Sequence, residues 1–448
     1  MSKLPKAIKI VAINLIILAV LSEIVSITTY YVWTREFFYA RSANWVDPAL
    51  SAPAEPLNRG GAQQELLQQL HPYFGYIDKV GVDHRFPYSK TSHLANNLGF
   101  ASTQPYPFKK RNPNQFLVGV FGGSVAANYS FFETEVQILA TALKKLPALA
   151  DREVIILPFA IGGYKQPQQL LVLSYFLSIG QELDLAINID GFNEVALAYL
   201  NYQHRIELSL PGDFILLPMV NLAAGNLSRK ELALTLKVIE KKERFANSVK
   251  SLAAARTATG YVLAWLWARY SMQGYRQEVV NLDQARVSGD RPEQSYMQIP
   301  SGPTLSEDEA LEAMVALWSR SSLAMKQLLD PRKIPYFHFI QPNQYEPTRR
   351  VLSKEERAIA FSEASPFKPG VAKGYPLLLE ELAKLREGGV NAFSAVNVFD
   401  DISEPVYVDN CCHYNKAGNV AFCNYIASTI VRALSNDTRF IGPTTPGK

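Results

Sequence analysis

The stretch QFLVGVFGGS, residues 115–124, decides the fold, because six apolar or small residues from Phe116 to Phe121 run directly into Gly122-Gly123-Ser124. A short, near-continuous apolar run closed by glycines reads as a strand buried on both faces, the kind found in parallel sheets. Working outward, Phe132, Val136, Leu139, Leu143 and Leu146 recur at helical spacing and predict one helix with a single apolar stripe. A second strand is predicted over 154–159 and a helix from near Pro167, where proline suits the first turn. A third strand is predicted over 183–189. The alternation lapses after Tyr199 and resumes at Ser306, which forms a capping box with Glu309 and opens a helix toward Leu329. Strands over 334–340 and 392–399 alternate with helices over 375–385 and 415–434. This βα alternation predicts an α/β fold, a five-stranded parallel sheet between two helical layers.

The flanks differ in kind. Lys3, Lys6 and Lys9 precede an apolar stretch closed by Tyr30, Tyr31 and Trp33, so 7–33 is expected to be a transmembrane signal anchor with its amino end in the cytoplasm. Glu23 interrupts it, and its carboxylate is expected to lie near the outer end and reach interfacial water, with a partner helix as the alternative. Residues 42–61, rich in Ala, Pro, Ser and Asn, predict a linker. Residues 62–114, with HPYFGY at 71–76 and NNLGF at 96–100, predict a lead-in segment packed on the core. The α/β domain is assigned to 115–199 and 306–435, a helical insertion to 200–305 and a tail to 436–448. The aromatic run at 261–267 suits packing within the insertion better than a lid or a membrane-surface patch.

A net charge of +4 with 19% charged residues gives no dense basic surface, so nucleic acid is not an expected partner. Cys411, Cys412 and Cys423 make neither a disulfide framework nor a CxxC metal pair. They read as buried thiols, with a bridge from Cys423 to one of the pair as the alternative in an oxidising compartment. Neither a metal nor a cofactor is expected, since the sequence carries no HExxH motif and no Cys/His cluster.

In open parallel sheets ligands bind beyond the carboxyl ends of the strands, so the residues following each strand are the ones that bear on chemistry. Gly122-Gly123-Ser124 puts a hydroxyl at the start of a helix, where N–H groups favour negative charge. Gly162-Gly163 allows a backbone N–H to approach a small ligand. Asn193, in the run Asp190-Gly191-Phe192-Asn193-Glu194, offers an amide donor, and the run from Asp409 to His413 supplies a carboxylate and an imidazole. Together they are what acyl transfer through serine requires. Gln341 and Asn343, in the turn after the fourth strand, are candidate substrate contacts. His338 within that strand suits a satisfied core position, and His71, His84, His93 and His204 suit surface or structural roles.

These four stations resemble the blocks of the SGNH (GDSL-like) hydrolase family, named for a Ser, Gly, Asn and His on a flavodoxin-like sheet. The resemblance implies Ser124 as nucleophile, His413 as its base, and an oxyanion hole from the Ser124 and Gly163 N–H groups and the Asn193 side chain. Gly162 is the alternative to Gly163. Glu194 stands where the family's GxND block has aspartate. The family's DxxH would select Asn410, which carries no charge, so Asp409, one residue further away, is assigned to orient His413, with a backbone carbonyl as fallback. The anchor, lead-in and NNLGF segment are similar to a bacterial membrane-anchored subgroup. The similarity implies a single-pass inner-membrane protein with a periplasmic esterase domain, its substrate an acylated small molecule or glycan, with O-acyltransferase or non-catalytic scaffold as alternatives.

Overall fold

The computed structural model describes residues 6–40, 68–84, 93–224, 229–288, 300–302 and 304–441. The expected linker at 42–61 lies outside these residues, as do 442–448 of the expected tail. The chain divides into two compact units, Met1–Ala62 with Asn226–Glu293, and Gln63–Gly225 with Gln294–Lys448. The expected insertion at 200–305 is thereby split. Its helices Ala198–Gln203 and Asp213–Ala224 fall in the second unit, while Arg229–Ala254 and Ala258–Ser288 fall in the first with the N-terminal helix.

In the first unit, helix Lys6–Thr34 contains Ile10–Thr34, 25 residues long and apolar enough to cross a membrane, against the roughly 20 that a bilayer needs. Glu23 does not end in interfacial water as expected but meets another helix of this unit. Its carboxylate accepts the backbone N–H groups of Ala258 at 2.6 Å and Thr259 at 3.0 Å, together with the Tyr39 hydroxyl. Those N–H groups open the helix Ala258–Ser288 and have no intrahelical acceptor, so the carboxylate satisfies them and faces the positive end of the helix dipole. Tyr30 packs edge-on against Tyr261 and Phe38, and Trp33 lies 4.4 Å from Trp265 between ring centroids.

The second unit is built on a five-stranded, wholly parallel sheet: β1 Gln115–Gly122, β2 Glu153–Ala160, β3 Leu185–Asp190, β4 Tyr336–Ile340 and β5 Asn391–Ser394. Their order is β2-β1-β3-β4-β5. Every residue of β1, β3 and β4 is buried, which accounts for their mostly apolar character, with Gln115, Asn188, Asp190 and His338 as the buried polar exceptions. The chain leaves β1 for β2 on one side and returns to β3 on the other. A crevice therefore opens beyond the carboxyl ends of β1 and β3.

Two short antiparallel ribbons, Gln68–His71 with Gly75–Asp78 and Asp83–His84 with His93–Leu94, precede the sheet. They and the loop after them are fastened to it. Tyr106 stacks on Phe159 of β2, which stacks on Phe121 of β1, and the Tyr106 hydroxyl donates to the Pro158 carbonyl at 2.9 Å.

The single striped helix expected after β1 is two helices. Ser124–Val136 stops where Gln137 turns left-handed at φ 56°, and Ile138–Leu143 follows. The Glu133 carboxylate crosses the break to accept the Leu139 N–H at 2.8 Å. Val136, expected on the apolar stripe, is consequently exposed. By contrast, the Ser306 capping box is present on helix Glu307–Leu329.

One buried ion pair supports the segment that leads to the candidate site. Arg350 donates to Glu356 at 2.7 Å, and the other Glu356 oxygen accepts the N–H groups of Val406 and Tyr407, each at 2.9 Å. Removing one partner of such a pair leaves a buried charge uncompensated. Glu356→Ala is expected to reduce unfolding free energy by about 3–5 kcal/mol, read as the shift in urea midpoint. A loss below about 1 kcal/mol would show that other contacts hold this segment.

Candidate active site

Ser124 is the first residue of helix Ser124–Val136, directly beyond β1, with its backbone N–H among those left free at a helix start. Gly123 before it has no room for a side chain. A Cβ there would fall 2.1 Å from the Asn193 amide nitrogen and 3.1 Å from the Tyr164 carbonyl oxygen. Three segments distant in sequence thus converge on one backbone position.

Asn193 follows β3 and opens a π-helical turn, Asn193–Leu197, a geometry frequent at functional sites. One of its two amide hydrogens is donated to the Tyr164 carbonyl at 2.7 Å, which fixes the amide plane and leaves the second hydrogen for a ligand. Gly163, on the loop after β2, has φ +82°, and a Cβ there would meet Ile215 at 2.2 Å. The loop is pinned from the lead-in: the Tyr76 hydroxyl donates to the Gly162 carbonyl at 2.9 Å, and the Tyr164 hydroxyl donates to the Tyr76 carbonyl.

His413 arrives from the far end of the chain. Its Nε2 lies 2.8 Å from the Ser124 hydroxyl, and its Nδ1 bonds the Asp409 carboxylate. Asp409, not Asn410, is the residue on the ring. The extra residue relative to DxxH is absorbed because the other Asp409 oxygen accepts the N–H groups of Cys411, Cys412 and His413, at 3.0, 3.0 and 3.2 Å, so the loop winds around the carboxylate. The side chain of Asp409 is 11% exposed and that of His413 19%, so the acid lies beneath the imidazole.

The electrostatics follow from this geometry. Burial works against the charged forms of both groups. It would raise Asp409, but the His413 charge and the three N–H donors hold the carboxyl below its usual range. Burial would lower His413, but the adjacent Asp409 carboxylate drives it well above its ordinary value. This arrangement can draw the proton from the Ser124 hydroxyl and keep the resulting imidazolium beside a negative charge.

Two buried acids at the edge of β3 support the site. Asp190 accepts from Trp318 Nε1 at 2.8 Å, His338 Nε2 at 2.7 Å and the Asn188 amide at 2.6 Å, and Ser322 bonds His338 Nδ1 at 2.7 Å. His338 is the satisfied core histidine its strand position suggested. The Glu194 carboxylate accepts the N–H groups of Gly191 at 2.8 Å and Gln166 at 3.2 Å and the Gln169 amide at 2.9 Å. It ties the Asn193 turn to the loop after β2. Burial, reinforced by the Asp190 charge, pushes Glu194 well above the usual carboxyl range.

Gln341 and Asn343 are 4% and 2% exposed. Asn343 donates to the Cys411 carbonyl at 2.8 Å and accepts from the Tyr345 N–H at 3.0 Å, and Gln344 donates to the Asp409 carbonyl at 3.0 Å. Asn343 therefore braces the histidine loop, a role its sequence position did not reveal. Gln341 Nε2 is buried without a hydrogen-bond partner among the described residues.

The remaining histidines serve local structure. His71 Nδ1 accepts the Tyr73 and Phe74 N–H groups, His84 pairs with Asp78 at 3.0 Å, His93 stacks on Phe131, and His204 pairs with Asp213. The three cysteines are free thiols, so no bridge joins Cys423 to the pair. The Cys411 and Cys412 sulfurs are 3.3 Å apart, and with His413 they form the one Cys/His/acid group among the described residues close enough to hold a metal ion. Its imidazole Nε2 is engaged by Ser124. Two depressions, about 360 and 280 Å³, lie at the opposite end of the strands, near Tyr336 at the start of β4 and Gln115 at the start of β1, and neither is lined by Ser124.

No protein-family model matches the chain, and a search of curated proteins finds no match.

The sign of the coupling between Asp409 and His413 can be measured without substrate. Asp409→Asn removes the larger of the two influences that raise the imidazole, the other being the Cys412 sulfur, so the His413 ring should titrate at lower pH than in the parent chain. NMR titration of the labelled ring reads this. An unchanged or higher midpoint would mean that Asp409 does not set the ring's charge.

Proposed function

We propose that this chain is a membrane-anchored serine esterase of the SGNH type, with a flavodoxin-like three-layer α/β/α domain. The observation that carries the reading is the line Asp409–His413–Ser124, with 2.8 Å between the imidazole and the hydroxyl, beside the Asn193 amide. The strand order β2-β1-β3-β4-β5 is that of flavodoxin-like sheets, whose ligands lie at the β1/β3 switch point.

In the proposed reaction His413 Nε2 takes the Ser124 proton as the oxygen attacks an ester carbonyl. The oxyanion is received by the Ser124 and Gly163 N–H groups and by the free hydrogen of Asn193. The imidazolium, held by Asp409, then protonates the departing alcohol. Water, deprotonated by the same imidazole, releases the acyl group from Ser124. A short acyl group on an envelope glycan of the bacterial periplasm suits an anchored domain outside the inner membrane, and no cofactor is needed. A sugar hydroxyl in place of water would make the same residues a transferase.

A fluorophosphonate probe offered to the full chain in detergent should label Ser124 covalently, and Ser124→Ala should abolish labelling. A parent chain that remains unlabelled would leave the serine unactivated and the esterase reading without support, favouring a non-catalytic scaffold. With an acetylated glycan and no acceptor, acetate release supports hydrolysis, and release only when acceptor is present points to transfer.

Asn193→Ala should lower turnover about 100- to 1,000-fold, as removal of one oxyanion donor does elsewhere. Near-normal turnover would remove Asn193 from the oxyanion site. Since only the neutral imidazole accepts the serine proton and Asp409 raises it, kcat/KM should climb with pH to a midpoint above 6.5. In Asp409→Asn that limb should move to lower pH while turnover falls about 10⁴-fold. An unshifted limb would assign it to another group.

A further inference from the structure

We propose that the helical hairpin Arg229–Ala254 and Ala258–Ser288 dips into the lipid bilayer beside the N-terminal helix, so that the chain meets the membrane at two places. The inference rests on reading the N-terminal helix as a membrane anchor.

Depth comes from pairing. Glu23 lies 11 residues before the end of helix Lys6–Thr34, about 16 Å of helix at 1.5 Å per residue. Its carboxylate takes the N–H groups of Ala258 and Thr259, so the bend of the hairpin sits at that level. Further along, Tyr30 meets Tyr261 and Trp33 meets Trp265. The contacts advance together in both sequences, so the second hairpin helix rises parallel to the anchor toward the same membrane surface.

The pairing solves a problem that exists only away from water. A carboxylate within an apolar span and the orphan N–H groups of a helix start are each costly in hydrocarbon, and here each supplies what the other lacks. Beyond that contact, Leu263, Leu266, Trp267 and Tyr270 are 61, 52, 48 and 64% exposed. Their spacing of three, four and seven residues makes one continuous apolar stripe on the helix. Tryptophan and tyrosine at that height are the side chains of the membrane–water boundary.

Charge identifies lipid as the occupant. Residues 229–244 and 269–288, the parts of the hairpin farthest from its bend, carry nine Lys and Arg against five Asp and Glu, an excess that favours anionic headgroups, while Lys250 and Arg256 nearer the bend must reach upward along their apolar stems. Arg269 lies over the Trp265 ring at 5.0 Å, which places a cation next to the aromatic band.

The test uses the full chain in phosphatidylcholine–phosphatidylglycerol vesicles whose acyl chains are brominated, and bromine quenches indole that lies within hydrocarbon. Two variants are compared: one keeps Trp267 and one keeps Trp33, each with the buried Trp318, whose emission is subtracted using a variant with Trp318 alone. Half or more of the Trp267 emission should be lost, as for Trp33. Full Trp267 emission beside a quenched Trp33 would overturn the proposal and put the stripe in water or against another protein. Full emission from both would overturn the anchor reading as well. Glu23→Ala should restore much of the emission in the Trp267 variant and leave Trp33 quenched when made in the Trp33 variant, and unchanged Trp267 quenching would show that Glu23 does not set the hairpin's depth.

Discussion

The two oxygens of Asp409 divide one task, and the proposed chemistry depends on the division. One oxygen holds the His413 ring, while the other gathers three consecutive N–H groups and so determines where the ring can be. A carboxylate that bonded only the imidazole would leave the loop free to carry both away from Ser124. Because the same group fixes position and charge, the path of the loop and the basicity of the histidine are linked. The surrounding segments reinforce this: Asn343 and Gln344 hold the loop from beneath, and Glu356 holds the chain entering it.

A second layer of buried acids does comparable work for the other half of the site. Glu194 holds the Asn193 turn against the loop after β2, and Asp190 locks β3 to Trp318 and His338. Burying carboxylates is expensive unless their lone pairs are occupied, and here several donors converge on each. The amide of Asn193 is therefore held in one orientation, as its proposed role as an oxyanion donor would require.

Much of this was legible in the sequence because apolar runs, glycine pairs and polar residues at strand ends obey local rules. The five strands, the Ser306 capping box and the convergence of Ser124, Asn193 and His413 fall in that class. Other features depend on contacts between distant segments. The break at Gln137 was hidden because apolar spacing continues across it, and only the crossing carboxylate of Glu133 makes it visible. The preference for Asp409 over Asn410 rested on charge alone, since its spacing makes sense only when the loop is seen to wind around the oxygen. The bracing by Asn343 had no local signal, because an asparagine after a strand looks the same whether it faces a cleft or a carbonyl. The membership of residues 229–288 was equally hidden, as nothing local announces that Glu23 will meet Ala258.

The hydrogen bond between His413 and Ser124 spans 289 residues. A ribosome adding about 5–20 residues per second needs roughly a quarter of a minute to a minute to make the second partner after the first. Throughout that interval the proposed nucleophile lacks the imidazole that is its partner in the fold. On the proposed reading the growing chain therefore carries its own latency: the hydroxyl gains its base only once the histidine loop has been synthesised and folded against it.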